Sequence, residues 1–225
     1  LGGNLDVSPE QIAACVQEVG LGFMFAPAHH GAMKHAVGPR RELGLRTLFN
    51  VLGPLTNPAG VKRQVLGVYD AALCEPLAEV LARLGSERAL VIHSDDGLDE
   101  ISIAAPTRGF ELRAGDISPI EIDPAALGLA HTSLEGLQVE TAADSANLIR
   151  SALAGDDDAV SIKARAIIAL NAGAGIFVSG VVDSLASGVA AAEQAMASGA
   201  AAQKLEAFVA FTQALVSEQG GAFAS

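Results

Sequence analysis

Residues 23–60 read FMFAPAHHGAMKHAVGPRRELGLRTLFNVLGPLTNPAG. Two adjacent histidines (His29, His30), three arginines (Arg40, Arg41, Arg46) and a Gly53-Pro54 turn fall inside this one stretch. Basic side chains crowd beside apolar ones, and turn residues interrupt helix formers. A chain that departs from its own local rules usually does so where something is bound. Pro39 breaks the first helical run. Arg40-Arg41-Glu42-Leu43 can then form a turn before Gly44, and Thr47-Leu48-Phe49-Asn50 another before Gly53-Pro54. The pattern predicts short, broken helices over 30–51.

Outward from this stretch the periodicity becomes regular. Gln64 to Tyr69 is a strand candidate, and Leu73 to Leu84 is an amphipathic helix closed by Gly85. Arg88 to His93 has the pattern of a buried strand. Two more strands are predicted over Arg108–Arg113 and Ile117–Ile122. Helices follow over Ala143–Ala154, Ser161–Ala172, Leu185–Ala197 and Ala200–Val216, punctuated by Gly173, Gly175, Gly188 and Gly199. The Ala-rich 185–202 run predicts close helix packing. Upstream, Ser8-Pro9-Glu10-Gln11 opens a helix: Ser8 caps, Pro9 suits the first position, and Gln11 completes a capping box. Gly20 ends it. Strand-helix-strand order followed by helices predicts a sheet covered by helices, an α/β protein.

Composition agrees. Half of the 225 residues are apolar and only 18% are charged, so a large core is expected. Trp is absent and aromatics are 4%, so that core must be aliphatic. The net charge of −12 argues against nucleic acid and anionic membranes as partners. It also means that an anionic ligand would need local cations, either an arginine cluster or a bound metal ion. Cys15 and Cys74 have no partner at metal-ligand spacing and fall in apolar helical patterns, as core thiols do. No run of 18 uncharged apolar residues is present, and no membrane span is predicted. A reducing, cytoplasmic compartment is expected. Leu1 to Asp6 has the character of the inside of a longer protein.

Two groups could carry chemistry. His93-Ser94-Asp95-Asp96-Gly97-Leu98-Asp99-Glu100 follows a buried strand directly, where open α/β sheets bind ligands. Four carboxylates in six residues repel one another unless a cation joins them. Hard oxygens in a loop suit Mg²⁺, which takes one or two carboxylates plus phosphate oxygens. A solvated acidic turn is the plainer alternative. The arginines offer planar forks for carboxylate or phosphate, or else surface ion pairs such as Arg41 with Glu42. His29 and His30 carry no Ser or Cys nucleophile signature. Gly53-Pro54-Leu55-Thr56-Asn57-Pro58 permits close approach of backbone to a ligand, or simply connects a helix to a strand.

The 25–60 stretch together with VIHSDDGLDEIS resembles the anthranilate phosphoribosyltransferase family of the tryptophan pathway. The similarity extends over essentially the whole chain. The resemblance implies a nucleoside phosphorylase/phosphoribosyltransferase-like fold: a central mixed, mainly parallel sheet covered by helices, with part of a small helical domain. Residues 1–27 would be a helix and connector, 28–52 would belong to the small domain, and 53–225 would form the α/β domain with its helical C-terminus. It implies transfer of the phosphoribosyl group of 5-phosphoribosyl diphosphate to the amine of anthranilate, with pyrophosphate leaving. Arg40 would bind anthranilate, with His30, Gly53 and Pro54 as further substrate-binding candidates. Asp99 and Glu100 would hold Mg²⁺ against the diphosphate. No residue is assigned as a catalytic base.

The resemblance also implies a homodimer of the full-length protein, without nucleic acid or membrane as partner. The family's Gly-Thr-Gly-Gly-Asp diphosphate loop and its Lys-His-Gly-Asn-Arg segment do not occur in the 225 residues. The chain is therefore expected to be the C-terminal two thirds of a longer enzyme and to be inactive alone. Gly38-Pro39 stands where the family often has Pro-Val, which bears on the aim of Arg40. A pyrimidine nucleoside phosphorylase shares this fold, and a non-catalytic nucleic-acid-binding relative is a third reading. The Arg40 and Gly53 motifs favour the transferase over the phosphorylase, and the acidic balance disfavours the nucleic-acid binder.

Overall fold

The computed structural model describes residues 1–25 and 53–221. The broken helices expected over 30–51 lie outside the described residues. The chain divides into two compact units, Leu1–Gly53 with Gly199–Ser225, and Pro54–Ser198.

In the first unit, α1 (Pro9–Val19) forms as its cap predicts. Ser8 Oγ accepts from the Gln11 N–H at 3.2 Å, and the Gln11 side chain accepts from the Ser8 N–H at 2.8 Å. Ile12, Cys15 and Val19 form its buried face, and Gly20 ends it in the left-handed region. The C-terminal helix of the chain (Ala200–Gly221) packs against α1. Its Lys204 ammonium donates to the Val19 carbonyl at 2.5 Å, capping the C-terminus of α1. The buried Thr212 hydroxyl accepts from the Asn4 N–H at 3.2 Å. This helix was expected with the sheet in a 53–225 domain. It groups instead with α1, because its polar contacts reach the N-terminal residues.

The second unit holds a four-stranded sheet in the order β1 (Arg63–Gly67), β2 (Arg88–Ser94), β3 (Thr107–Arg113), β4 (Asp116–Ile122). Only β1 and β2 run parallel; β2–β3 and β3–β4 are antiparallel. The sheet is mixed, as expected, but among the described residues it is not mainly parallel. The connections explain this. β1 and β2 are joined by α2 (Cys74–Arg83), a helical crossover that permits parallel pairing. β3 and β4 are joined by Ala114-Gly115, both at positive φ (53° and 94°), a two-residue turn that can only build a hairpin. β4 carries Pro119, which lacks a ladder N–H and suits an edge strand.

β2 is buried at every residue except the half-buried His93, so both faces of the sheet are covered at this strand, while the edge strand β4 stays mostly exposed. α2 packs on β2 and β3, and α4 (Ala159–Ser179) on β1 and β2. α3 (Ala142–Ala154) and α5 (Leu185–Ala197) pack on α4. The helix expected to stop at Ala172 continues to Ser179 through Gly173 and Gly175. Gly173 and Gly188 do not punctuate their helices. They let α4 and α5 meet backbone to backbone, and the Ala-rich α5 packs as closely as predicted. α4 is long and apolar enough to cross a bilayer by length and composition alone. It carries Lys163 and Arg165, however, and it is the helix on which the sheet and two other helices pack.

Candidate metal and substrate site

The loop after β2 leaves the carboxyl end of a buried strand, and its four carboxylates divide into two pairs. Asp95 is ion-paired to Arg108 of β3, which also bonds Glu121 of β4 at 3.0 Å. Asp95 first, then Glu121, holds the Arg108 guanidinium above its ordinary pKa. Asp96, also exposed, is tied to the loop: its Oδ2 accepts from the Ser102 hydroxyl at 2.5 Å, and its Oδ1 from the Leu98 N–H at 3.4 Å. The turn between them closes with Gly97 N–H donating to Ser94 O at 2.9 Å.

Asp99 and Glu100 are different. Both are exposed, and their carboxylates have no hydrogen-bond or ion-pair partner among the described residues. Their backbone, in contrast, is held. A Cβ added at Gly67, the last residue of β1, would stand 1.6 Å from the Asp99 carbonyl oxygen. The Ile101 N–H, in the peptide that follows Glu100, donates to Asn171 Oδ1 at 2.9 Å, and Asn171 Nδ2 donates back to Ile101 O at 2.9 Å. His93 is half-buried with Nδ1 2.8 Å from Val68 O, so it ties β2 to the end of β1.

The donor set suits a hard divalent cation. Two adjacent, exposed carboxylates on a fixed backbone offer oxygen ligands while leaving room for water and ligand oxygens, the habit of Mg²⁺. Among the described residues no group of three His, Cys, Asp or Glu could hold a metal by itself.

The substrate-binding candidates fall elsewhere. His30 and Arg40 lie outside the described residues. Gly53 and Pro54 are half-buried in a helical turn. Among the described residues no atom comes within 4 Å of where a Gly53 Cβ would be. Pro54, Leu55 and Asn57 line a cavity of about 150 Å³ with Lys62 and Gln64 at the start of β1. Asp99 packs at its other end, roughly 13 Å along a five-residue strand at about 3.3 Å per residue. Pro54 and Asp99 are therefore not brought into contact. The residues that sequence reasoning missed are Gly67, Ser102, Arg108 and Asn171. Their only signal is spatial, since Asn171 meets Ile101 from 70 positions away.

The chain matches a model of the glycosyl transferase family a/b domain over residues 1–202. It is 56% identical over 211 residues to anthranilate phosphoribosyltransferase of Teredinibacter turnerae and 58% identical over 211 residues to that of Saccharophagus degradans. Each alignment covers 94% of this chain and 62% of the relative, so the chain spans less than two thirds of their length. Among solved structures it resembles anthranilate phosphoribosyltransferase from Thermus thermophilus, with a TM-score of 0.84 and 40% identity over 94% of this chain and 62% of that one. It also resembles the Saccharomyces cerevisiae enzyme in complex with PRPP and Mg, with a TM-score of 0.82 and 26% identity over 95% and 60%. The sheet flanked by helices and the match over most of the sequence lead to one conclusion: the chain belongs to the glycosyl transferase family and carries its a/b domain.

Proposed function

We propose that the chain is the larger part of an anthranilate phosphoribosyltransferase. In the reaction, the anthranilate nitrogen lone pair forms a bond to the anomeric carbon of 5-phosphoribosyl diphosphate. The bond from that carbon to the diphosphate oxygen breaks with its electron pair, and pyrophosphate leaves. The amine loses a proton to solvent. Positioning and stabilisation of the leaving charge supply most of the acceleration, with little need for a general base.

The observation that carries the reading is the division of labour in the acidic loop. Asp95 and Asp96 are bound to the fold, and Asp99 and Glu100 are left facing solvent on a clamped backbone. Asp99 and Glu100 would hold Mg²⁺, which when bound offsets the charge of the diphosphate. Arg40 would bind the anthranilate carboxylate, and His30, Gly53 and Pro54 would line the substrate path. Metal and guanidinium together answer the −12 charge that would otherwise repel two anionic substrates. Residues 28–52 would belong to a small helical domain completed by residues beyond this chain, and the complete enzyme would be a cytoplasmic homodimer.

The test is an assay of anthranilate with 5-phosphoribosyl diphosphate. The chain is assayed alone and after extension with the N-terminal residues of the Teredinibacter turnerae relative. Turnover is expected only in the extended protein, and only with a divalent cation. Asp99→Ala and Glu100→Ala should each lower kcat/KM by about a hundredfold, near 2.7 kcal/mol. A soluble, dimeric extended protein with no turnover, or one that cleaves a pyrimidine nucleoside with phosphate instead, overturns the reading.

A further inference from the structure

We propose that Asn171 is a positioning residue for the metal-binding pair, acting on the peptide that follows Glu100. The inference rests on the assignment of Asp99 and Glu100 to a divalent cation. Asn171 is half-buried on α4, and its amide makes three of the four hydrogen bonds open to it. Oδ1 accepts from Ile101 N–H at 2.9 Å, and Nδ2 donates to Ile101 O and to Ile167 O, each at 2.9 Å. The Ile101 N–H is a donor and needs an acceptor opposite it, which fixes which end of the amide is oxygen.

The contact falls where it controls the ligands. The Ile101 N–H shares its peptide bond with the Glu100 carbonyl, so the bond from Asn171 fixes the plane into which Glu100 runs. On the other side, the Asp99 carbonyl lies in the space that the missing side chain of Gly67 leaves open. Further along, Ser102 is tied to Asp96 at 2.5 Å and to Thr107 Oγ1 at 3.2 Å. Two exposed carboxylates with no partner among the described residues thus stand on a backbone held from three sides. Exposed acidic side chains on a slack loop would repel each other apart. Held backbones keep them within reach of one cation without further ordering, which is how outer contacts raise metal affinity.

A purely structural reading is that Asn171 only satisfies the polar backbone of Ile101, which is fully buried. The two readings part on metal binding. Asn171→Ala removes all three bonds. Asn171→Asp keeps the acceptor for Ile101 N–H and loses both donors. Met196→Ala, a core truncation on α5, serves as a destabilised control away from the loop.

Each is measured in the 225-residue chain and in the extended protein at a temperature well below the lowest melting midpoint. The probe is Mn²⁺, alone and with inorganic pyrophosphate, read by water-proton relaxation. Amide hydrogen exchange over Leu98–Ser102 reports the loop. Both Asn171 variants are expected to weaken Mn²⁺ binding by about tenfold or more and to speed exchange at Ile101, with Met196→Ala unchanged in both.

The proposal is overturned by Asn171 variants that bind Mn²⁺ as tightly as the parent, whatever their stability. It is overturned equally if Met196→Ala loses as much affinity, or if the parent protein binds no Mn²⁺ under either condition. Because binding is read without turnover, a protein that binds Mn²⁺ in this Asn171-dependent way but does not act on anthranilate would refute the proposed reaction and leave this inference standing.

Discussion

The Asp99 carbonyl oxygen occupies the place where any side chain on Gly67 would begin. A Cβ there would lie 1.6 Å from that oxygen and 2.6 Å from its carbon. The obstacle is backbone on both sides, so no rotamer change relieves it. Gly67→Ala should displace the Asp95–Glu100 loop and cost stability at the upper end of the roughly 1–3 kcal/mol seen for overpacking. A urea midpoint reduced to match, with faster amide exchange at Asp99 and Glu100, is the expected result. An unchanged midpoint would mean that the loop is free to move away from β1.

Three glycines in α4 and α5 look alike in the sequence and should respond in opposite directions. A Cβ at Gly188 would stand 2.3 Å from Gly173 O, and one at Gly173 would stand 2.6 Å from Val189 N. Gly175 is exposed, and among the described residues no atom lies within 4 Å of its would-be Cβ. Alanine favours a helix over glycine by about 1 kcal/mol. Gly175→Ala should therefore stabilise by about 0.5–1 kcal/mol. Gly188→Ala should destabilise by about 1–3 kcal/mol, because the two helices must separate. Thermal or urea midpoints of the two variants, compared with the parent, check the contrast.

The charge pair between buried Arg88 of β2 and half-buried Glu111 of β3 makes a third prediction. Arg88 is 7% exposed and donates twice to Glu111 Oε1, at 3.1 and 3.0 Å, and once to Phe177 O at 2.8 Å, with its guanidinium 3.8 Å over the Phe177 ring. The last turn of α4 carries no basic residue of its own. Arg88, with Arg63 on the Ser179 carbonyl, supplies that cation from the strands. Arg88→Ala leaves Glu111 and the Phe177 carbonyl unpaired and should cost about 3–5 kcal/mol. Replacing both partners, as in Arg88→Met with Glu111→Leu, should cost clearly less than the sum of the single changes. A double-mutant cycle on urea midpoints measures the coupling, and additive losses would show that the pair does not act as a unit.

What could be read from the sequence was what local chemistry decides. The Ser8–Gln11 box, the strands at Gln64, Arg88, Arg108 and Ile117, and the start of α5 depend on neighbours within a few positions, and they formed within two residues of expectation. The Gly173 stop was misread because a glycine in an apolar run looks the same whether the helix ends or a second backbone presses on it. Only the partner at Gly188 decides, and sequence pattern does not contain it. The same holds for the acidic loop. All four carboxylates were visible, and Asp99 with Glu100 was singled out by resemblance. Their separation from Asp95 and Asp96 rests on Arg108, Ser102 and Asn171, each brought in by tertiary contact. The expectation of a mainly parallel sheet rests on the resemblance and not on the turn chemistry of these residues. The Ala114-Gly115 turn sets β3 against β4, and its two residues were not read as a hairpin signal.

The thiols allow a prediction about pH. Burial first, and the nearby Asp70 charge second, push the Cys74 thiol up to about 11, and burial also raises Cys15. Thiolate is the reactive form, and at pH 8 a thiol with that pKa is ionised in about one molecule in a thousand. A thiol-specific disulfide reagent at pH 8 should label Cys74 in the native chain at least roughly a hundredfold more slowly than in guanidinium, where the ordinary pKa near 8.5 returns. The same shift ties stability to alkaline pH. Below the unfolded value both states keep the proton, and the contribution is complete. As pH rises from about 9 towards about 11, the unfolded chain releases the proton while the folded chain retains it, so stability is lost across that window. The informative quantity is the urea midpoint of the parent relative to Cys74→Ala. That difference should shift against the parent between pH 9 and 11. A difference that stays constant, together with rapid native labelling at pH 8, would place the Cys74 sulfur in contact with water.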